Sequence, residues 1–280
     1  MKDFFYILYK SIFKTVDHDG VEHAGYMSFM VLFSLFPFLV FFFAFTSFLG
    51  ASELGSKFVE VLITNLPQDA TSAIAPRIQE IVMRPPESLM TIAILGAIWT
   101  ASSFVEALRT ILNRIYEVST PPTYLWRRFL SIVQFLSVSI GITLVLFLLV
   151  IIPTALNEIP AYVELVEKLH PIWGLLRKVT LLLFLFLTVA FLYYILPNVE
   201  LYFIDIVPGA IITVILWAIS GALLSKYLVY YTKISVIYGS IGGIIATLFF
   251  FFVINMLFIY GAEFNHLYHN YKKSKISSAS

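Results

Sequence analysis

The chain has 280 residues, 60% hydrophobic, 17% aromatic and only 12% charged, with no cysteine and a net charge of +1. An ordinary soluble domain carries about twice that charged fraction, and too few charges remain here to solvate the surface of a water-soluble fold. The composition excludes a soluble enzyme, a disordered regulator and a basic-patch nucleic-acid binder, and the missing cysteines exclude disulfides, thiolate metal sites and cysteine nucleophiles.

A membrane is the remaining environment, and the chain divides accordingly. Residues 1–22 open with KDFFYILYKSIFKTV, where Lys10 and Lys14 interrupt the apolar run and no small-residue cleavage site follows. The spacing predicts a short helix with both lysines on one face and Phe4, Phe5, Leu8 and Ile12 mostly on another. It suits either the lipid headgroup plane or a cap packed on the bundle. A bilayer core takes roughly 20 apolar residues per helix, and six windows qualify: 25–49, 89–112, 130–152, 179–196, 206–228 and 241–262. Between the first two, residues 51–88 read as two short amphipathic helices, broken at Asn65-Leu66-Pro67 and ended by Pro85-Pro86. A second outer segment, 153–178, carries Pro153, Pro160 and Pro171, the inner connection from Pro197 to Asp205 is short, and residues 266–280 form a tail. The expected fold is all-α: one integral membrane domain, a bundle of six transmembrane helices with an amino-terminal interfacial helix and short helices in the first outer loop.

Basic residues near the span ends orient such a bundle. With the amino terminus inside, ten lysines and arginines fall on the cytoplasmic side and eight outside. The clusters carry more weight than that margin: Arg127-Arg128 abuts the third span and Lys272-Lys273 follows the sixth. Both termini are therefore expected on the cytoplasmic side.

Ionisable residues in membrane helices are costly and call for a functional reading. Glu106 and Arg109 lie three apart near the inner end of the second window, Asp205 opens the fifth and Glu263 ends the sixth. These four can form the inner gate or ion-coupling site of a transport pathway, or they can be interfacial ion pairs and helix caps that set register. Thr100, Ser102 and Ser103 can line a wet path or bond back to their own helix. Gly239 and Gly243, four apart around Ser240, suit close helix contact or a flexible outer hinge. Asn255, deeper in the sixth window, needs a partner. Two groups have the chemistry for a divalent cation, Glu263 with His266 and His269, and His18 with Asp19, Glu22 and His23, but neither has a known metal spacing. No catalytic motif, cofactor fingerprint or metal site is expected.

Several short motifs carry a family resemblance. His23-Ala24-Gly25-Tyr26-Met27-Ser28-Phe29 leads to Ser34-Leu35-Phe36-Pro37, and Trp99 and Ser102 precede Ala107-Leu108-Arg109 and Asn113-Arg114-Ile115-Tyr116. Leu196-Pro197, Pro208-Gly209-Ala210 with Trp217, Tyr238-Gly239-Ser240 and Gly261-Ala262-Glu263-Phe264-Asn265 follow in order. The sequence resembles the YihY/virulence factor BrkB family of bacterial inner-membrane proteins over about Gly20 to Asn265. Each piece is short; their order makes them specific. Asn255 departs from the pattern, so no role is carried to it. The resemblance implies six membrane helices with both ends cytoplasmic and a part in transport or export of a lipid or small solute. It marks Pro37, Pro208, Gly209 and Gly261 as hinge or packing positions and Asn113, Tyr116, Tyr238 and Asn265 as motif polar groups. An older ribonuclease BN label for the family looks like a misassignment, since this chain has no basic nucleic-acid surface.

The leading expectation is thus a transporter with membrane lipids as surroundings, a lipid or small solute as substrate and no nucleic-acid partner. Its pathway would be bounded by the second, fifth and sixth windows. A non-transporting envelope scaffold is the alternative, and an intramembrane enzyme with converging ionisable groups the third.

Overall fold

The structure is a computed structural model and describes residues 2–34, 88–119, 122–156, 170–231 and 239–277. Among these residues it is all-helical. Helix α1 spans Lys2–Asp17, α2 residues 20–34, α3 Ser88–Ile115 and α4 Tyr124–Leu156. Helix α5 spans His170–Ile195, α6 Phe203–Tyr231 and α7 Gly239–Ser277. The expected outer-loop helices, the later part of window 25–49, Pro37 and Tyr238 lie outside the described residues. The segment expected as a tail is helical as far as Ser277, continuing α7.

Three stretches of these helices are long and apolar enough to cross a membrane, Tyr124–Ile142, Phe203–Lys226 and Gly243–Lys275, with Val179–Ile195 a shorter apolar helix. Their surfaces fit a lipid solvent. On α6, Ile211, Ile215, Ile219 and Leu223 recur every four residues, so they share one face, and all four are exposed. A continuous apolar stripe of that kind is rare on a soluble monomer.

The chain forms two compact units. One comprises Phe33–Ser103 and Arg128–Arg177. Within it the Arg128 guanidinium lies 4.0 Å from the centre of the Trp99 ring, donates to the Trp99 carbonyl and reaches Ser103 Oγ at 3.1 Å through both terminal nitrogens. Ser102 and Ser103 donate back to the Trp99 carbonyl at 2.9 and 3.1 Å. Both hydroxyls thus bond their own helix.

The other unit comprises Met1–Leu32, Phe104–Arg127 and Lys178–Ser280. Its core is the crossing of α6 and α7, where two glycines bring the backbones together. A Cβ on Gly209 would overlap the Gly261 carbonyl and the Asn265 side chain, and one on Gly261 would overlap the Thr213 and Tyr193 hydroxyls. Gly243, by contrast, has no neighbour within 4 Å of such a Cβ among the described residues. Across the same region Tyr193 donates to the Phe258 carbonyl at 2.6 Å and Trp217 Nε1 to the Ile254 carbonyl at 2.8 Å. Apolar helices gain little from hydrophobic burial inside a membrane, so small residues and hydrogen bonds such as these hold them together. Asn255 is buried in α7, and its amide nitrogen has no partner among the described residues.

Helix α1 packs on α7 through Phe4 against Phe264, rings 5.4 Å apart, and through Tyr260, whose hydroxyl donates to the Leu8 carbonyl at 3.0 Å. Its Ile7, Ser11 and Thr15 are buried, while Phe5, Tyr6, Tyr9, Phe13 and Val16 stay exposed. The helix therefore packs on the bundle with one face and leaves an aromatic face outside.

Candidate functional site

Polar side chains gather in the unit built on α6 and α7, and three helix ends deliver most of them. Helix α3 closes on Glu117, a non-glycine residue in the left-handed region at φ 54°. The Val118 amide returns to the Asn113 carbonyl at 2.9 Å and the Glu117 amide to the Arg114 carbonyl at 3.1 Å, the bond pair of a Schellman cap. Helix α1 ends on Asp19 at φ 56°, whose amide returns to the Val16 carbonyl at 3.0 Å. In each case the residue just before the left-handed one, Tyr116 or His18, is turned toward α7: Tyr116 packs edge-on against His266 with ring centres 5.6 Å apart, and His18 meets Glu263. Gly20 is needed at the second turn, because a Cβ there would strike the Thr15 carbonyl and press on Ile259. Arg114 and Asp19 form an ion pair that ties this turn to the end of α3.

The third end is the start of α6. Pro208 removes an amide donor inside the helix, and the Asn265 side chain engages the backbone beside it. Its Oδ1 accepts from the Gly209 amide at 2.7 Å and its Nδ2 donates to the Ile206 carbonyl at 3.0 Å. Two of the resembling motifs, Pro208-Gly209-Ala210 and Gly261 to Asn265, therefore meet as one packing device. Asn113 works similarly: its Nδ2 donates to Asn198 Oδ1 at 2.9 Å and its Oδ1 accepts from the Asn198 amide at 2.7 Å.

The four ionisable candidates sort into three groups. Arg109 is 1% exposed, and it donates to the Leu196 carbonyl at 3.3 Å, the Arg127 carbonyl at 2.7 Å and Glu106 Oε2 at 3.3 Å. The other Glu106 oxygen takes Arg127 Nη1 at 3.3 Å, so each carboxylate oxygen faces a guanidinium. Asp205, buried at the start of α6, meets His269 Nδ1 at 2.9 Å and Lys272 Nζ at 3.8 Å. An acidic group in a first helical turn also suits the helix dipole.

Glu263 differs. It has no exposed surface, its Oε1 lies 2.5 Å from His18 Nδ1, and its Oε2 has no hydrogen-bond partner among the described residues. The Tyr116 hydroxyl is likewise buried without such a partner, with Asn265 and Glu263 as its polar neighbours. Burial first, and the Glu263 carboxylate next, push this phenol well above its usual range, so it remains protonated.

The suggested cation groups are dispersed. Glu263 turns to His18, His269 to Asp205, and His266 accepts from Asn270 Nδ2 at 3.0 Å; His23 Nδ1 lies 2.9 Å from the Asp19 carbonyl. Among the described residues no three His, Asp or Glu side chains assemble as metal ligands. Gly239 and Ser240 form the first turn of α7. Sequence reasoning missed His18 as the partner of Glu263, Asn198 as that of Asn113, and Tyr193 altogether. Only the turn residue Asp19 beside His18 hinted at the first, and no local signal marks the other two.

The model of the family described as virulence factor BrkB matches residues 12–280. The chain is also 30% identical over 260 residues to the ribonuclease-like protein YfkH of Bacillus subtilis (strain 168), covering 91% of this chain and 92% of that protein. No solved structure matches it.

Proposed function

This chain belongs to the virulence factor BrkB family, and from that premise we propose that it is a six-span inner-membrane transporter or exporter of a lipid or small solute. Both termini lie in the cytoplasm, and α1 rests its exposed aromatic face at the inner headgroup layer. One observation carries the reading: Glu263, without exposed surface in an apolar helix, keeps one carboxylate oxygen unpartnered among the described residues. A buried ionisable group that is not fully satisfied is expensive in a membrane protein and marks a pathway or relay more readily than a structural pair.

The gate reading of Glu106, Arg109, Asp205 and Glu263 narrows in consequence. Glu106 and Arg109 brace helix ends, Asp205 caps α6, and Glu263 is the member free to engage a transported species. Gly239, Ser240 and Gly243 are kept as the outer hinge, supported by the lack of any described neighbour within 4 Å of a Cβ at Gly243. The second reading, a non-transporting scaffold, draws on Arg109, whose bonds to two carbonyls and a carboxylate are those of a brace. A ribonuclease-like role, as in the name of YfkH, has less support here, because a net charge of +1 supplies no field for RNA phosphates.

The test is reconstitution of the full chain into liposomes carrying a fluorescent phospholipid or an entrapped solute. Exchange well above that of empty liposomes, lowered at least tenfold by Glu263→Gln, is the expected result. Exchange no faster than in empty liposomes, from protein that remains folded, would leave the scaffold.

A further inference from the structure

If Glu263 serves transport, the species it binds has to be named, and its surroundings point to one. On α7 itself the next ionisable group is His266, one turn on. From α1 the facing charges are Lys14 and Asp17, which pair with each other at 3.7 Å and are both well exposed. The turn after α1 supplies His18, and the turn after α3 supplies the Tyr116 hydroxyl. No fixed cation among these groups neutralises Glu263 at contact distance, and the carboxylate is matched only by an imidazole.

A carboxylate oxygen and an imidazole nitrogen 2.5 Å apart require a hydrogen between them. In one state the neutral ring donates Nδ1–H to an ionised carboxylate, and the pair carries a charge of minus one. Adding one proton gives either imidazolium with carboxylate or a carboxylic acid donating to the neutral ring, and both have zero net charge. Burying the uncompensated negative state is costly, so the site has a reason to take up a proton. It also has a route for one. Glu263 is sealed, but the His18 side chain keeps 18% of its surface exposed, so the imidazole links the carboxyl to the outside.

We propose that Glu263 and His18 form a buried one-proton site, loaded through His18. As the coupling site of a transporter it rests on the reading above; as a proton-binding pair it does not. The site is local to the turn that Asp19 ties to Arg114 at the end of α3 and that Gly20 seats against Ile259 of α7.

The experiment is acid-minus-alkaline infrared difference spectroscopy on the full chain in lipid nanodiscs. The expected result is a change in the carboxyl and carboxylate bands that disappears in Glu263→Gln and is displaced in His18→Gln. Coincident wild-type and Glu263→Gln spectra in those bands would overturn the proposal. Should Glu263→Gln fail to fold, His18→Gln decides alone: a displaced band supports the site and an unmoved one overturns it. Flux in liposomes under an imposed pH gradient separates the two readings. A carboxyl change that tracks Glu263, together with flux indifferent to the gradient, keeps the proton site and removes its coupling role.

Discussion

Two carboxylates in the same unit, Glu106 partly buried and Glu263 without exposed surface, are treated in opposite ways. Glu106 is bracketed, with Arg109 on one oxygen and Arg127 on the other, each at 3.3 Å. Glu263 has an imidazole on one oxygen and no partner among the described residues on the other. A carboxylate with an always-charged guanidinium on each oxygen has little reason to take up a proton and less room for a ligand. One held by a single titratable ring has both. Completeness of pairing, more than charge alone, separates a brace from a site.

The comparison is most severely tested at Arg109. Arg109→Ala would take a charged donor from two carbonyls and from one oxygen of Glu106, which keeps Arg127 on the other, and each such hydrogen bond is worth about 1.5–3 kcal/mol. Loss of the folded peak in fluorescence-detected size-exclusion chromatography is the expected outcome; a variant as stable as wild type would show that Arg109 does not brace the helix ends. Gly209→Ala comes next. Its methyl meets backbone and an amide that cannot retreat, and overpacking of this kind costs about 1–3 kcal/mol. A lowered midpoint in thermal unfolding checks it, with Gly243→Ala as the near-neutral control.

Asn265→Ala removes two hydrogen bonds to α6, for a loss of about 1–3 kcal/mol in the same assay. Glu263→Gln should cost less, about 1 kcal/mol, since the amide keeps an acceptor for His18, while flux falls at least tenfold. Stability and activity would then part company at Glu263 and move together at Arg109. The smallest effect belongs to Tyr116→Phe, which deletes a hydroxyl that has Asn265 as a polar neighbour but no well-formed hydrogen bond among the described residues; stability should shift within about 0.5 kcal/mol. A large loss there would mean that the hydroxyl has a structural partner and that the polar cluster is more complete than Glu263 implies.

Much of this was legible in the residues. Helical periodicity and apolar length make membrane helices visible, because a spanning helix satisfies its own backbone and needs only lipid around it. The pairing of Glu106 with Arg109 was equally legible, since residues three apart share a helix face. The packing use of Gly209 and Gly261 could be read as a possibility but not as a partnership, because the two lie on different helices. Glu263 could be marked as unusual, and three regularly spaced residues, Glu263, His266 and His269, hinted at a metal. The structure distributes those three among different partners, as side chains on one face of a long helix meet different neighbours along its length.

By itself, then, the sequence determined the solvent, the helical class and the short roster of charged positions, all of which follow from local composition and spacing. Only the tertiary structure decided which of those charges are spent. Partnership between His18 and Glu263, 245 residues apart, depends on where a left-handed turn after α1 meets the far end of α7. That meeting is set by close packing at glycines and by carbonyl-directed hydrogen bonds, neither of which has a local signature.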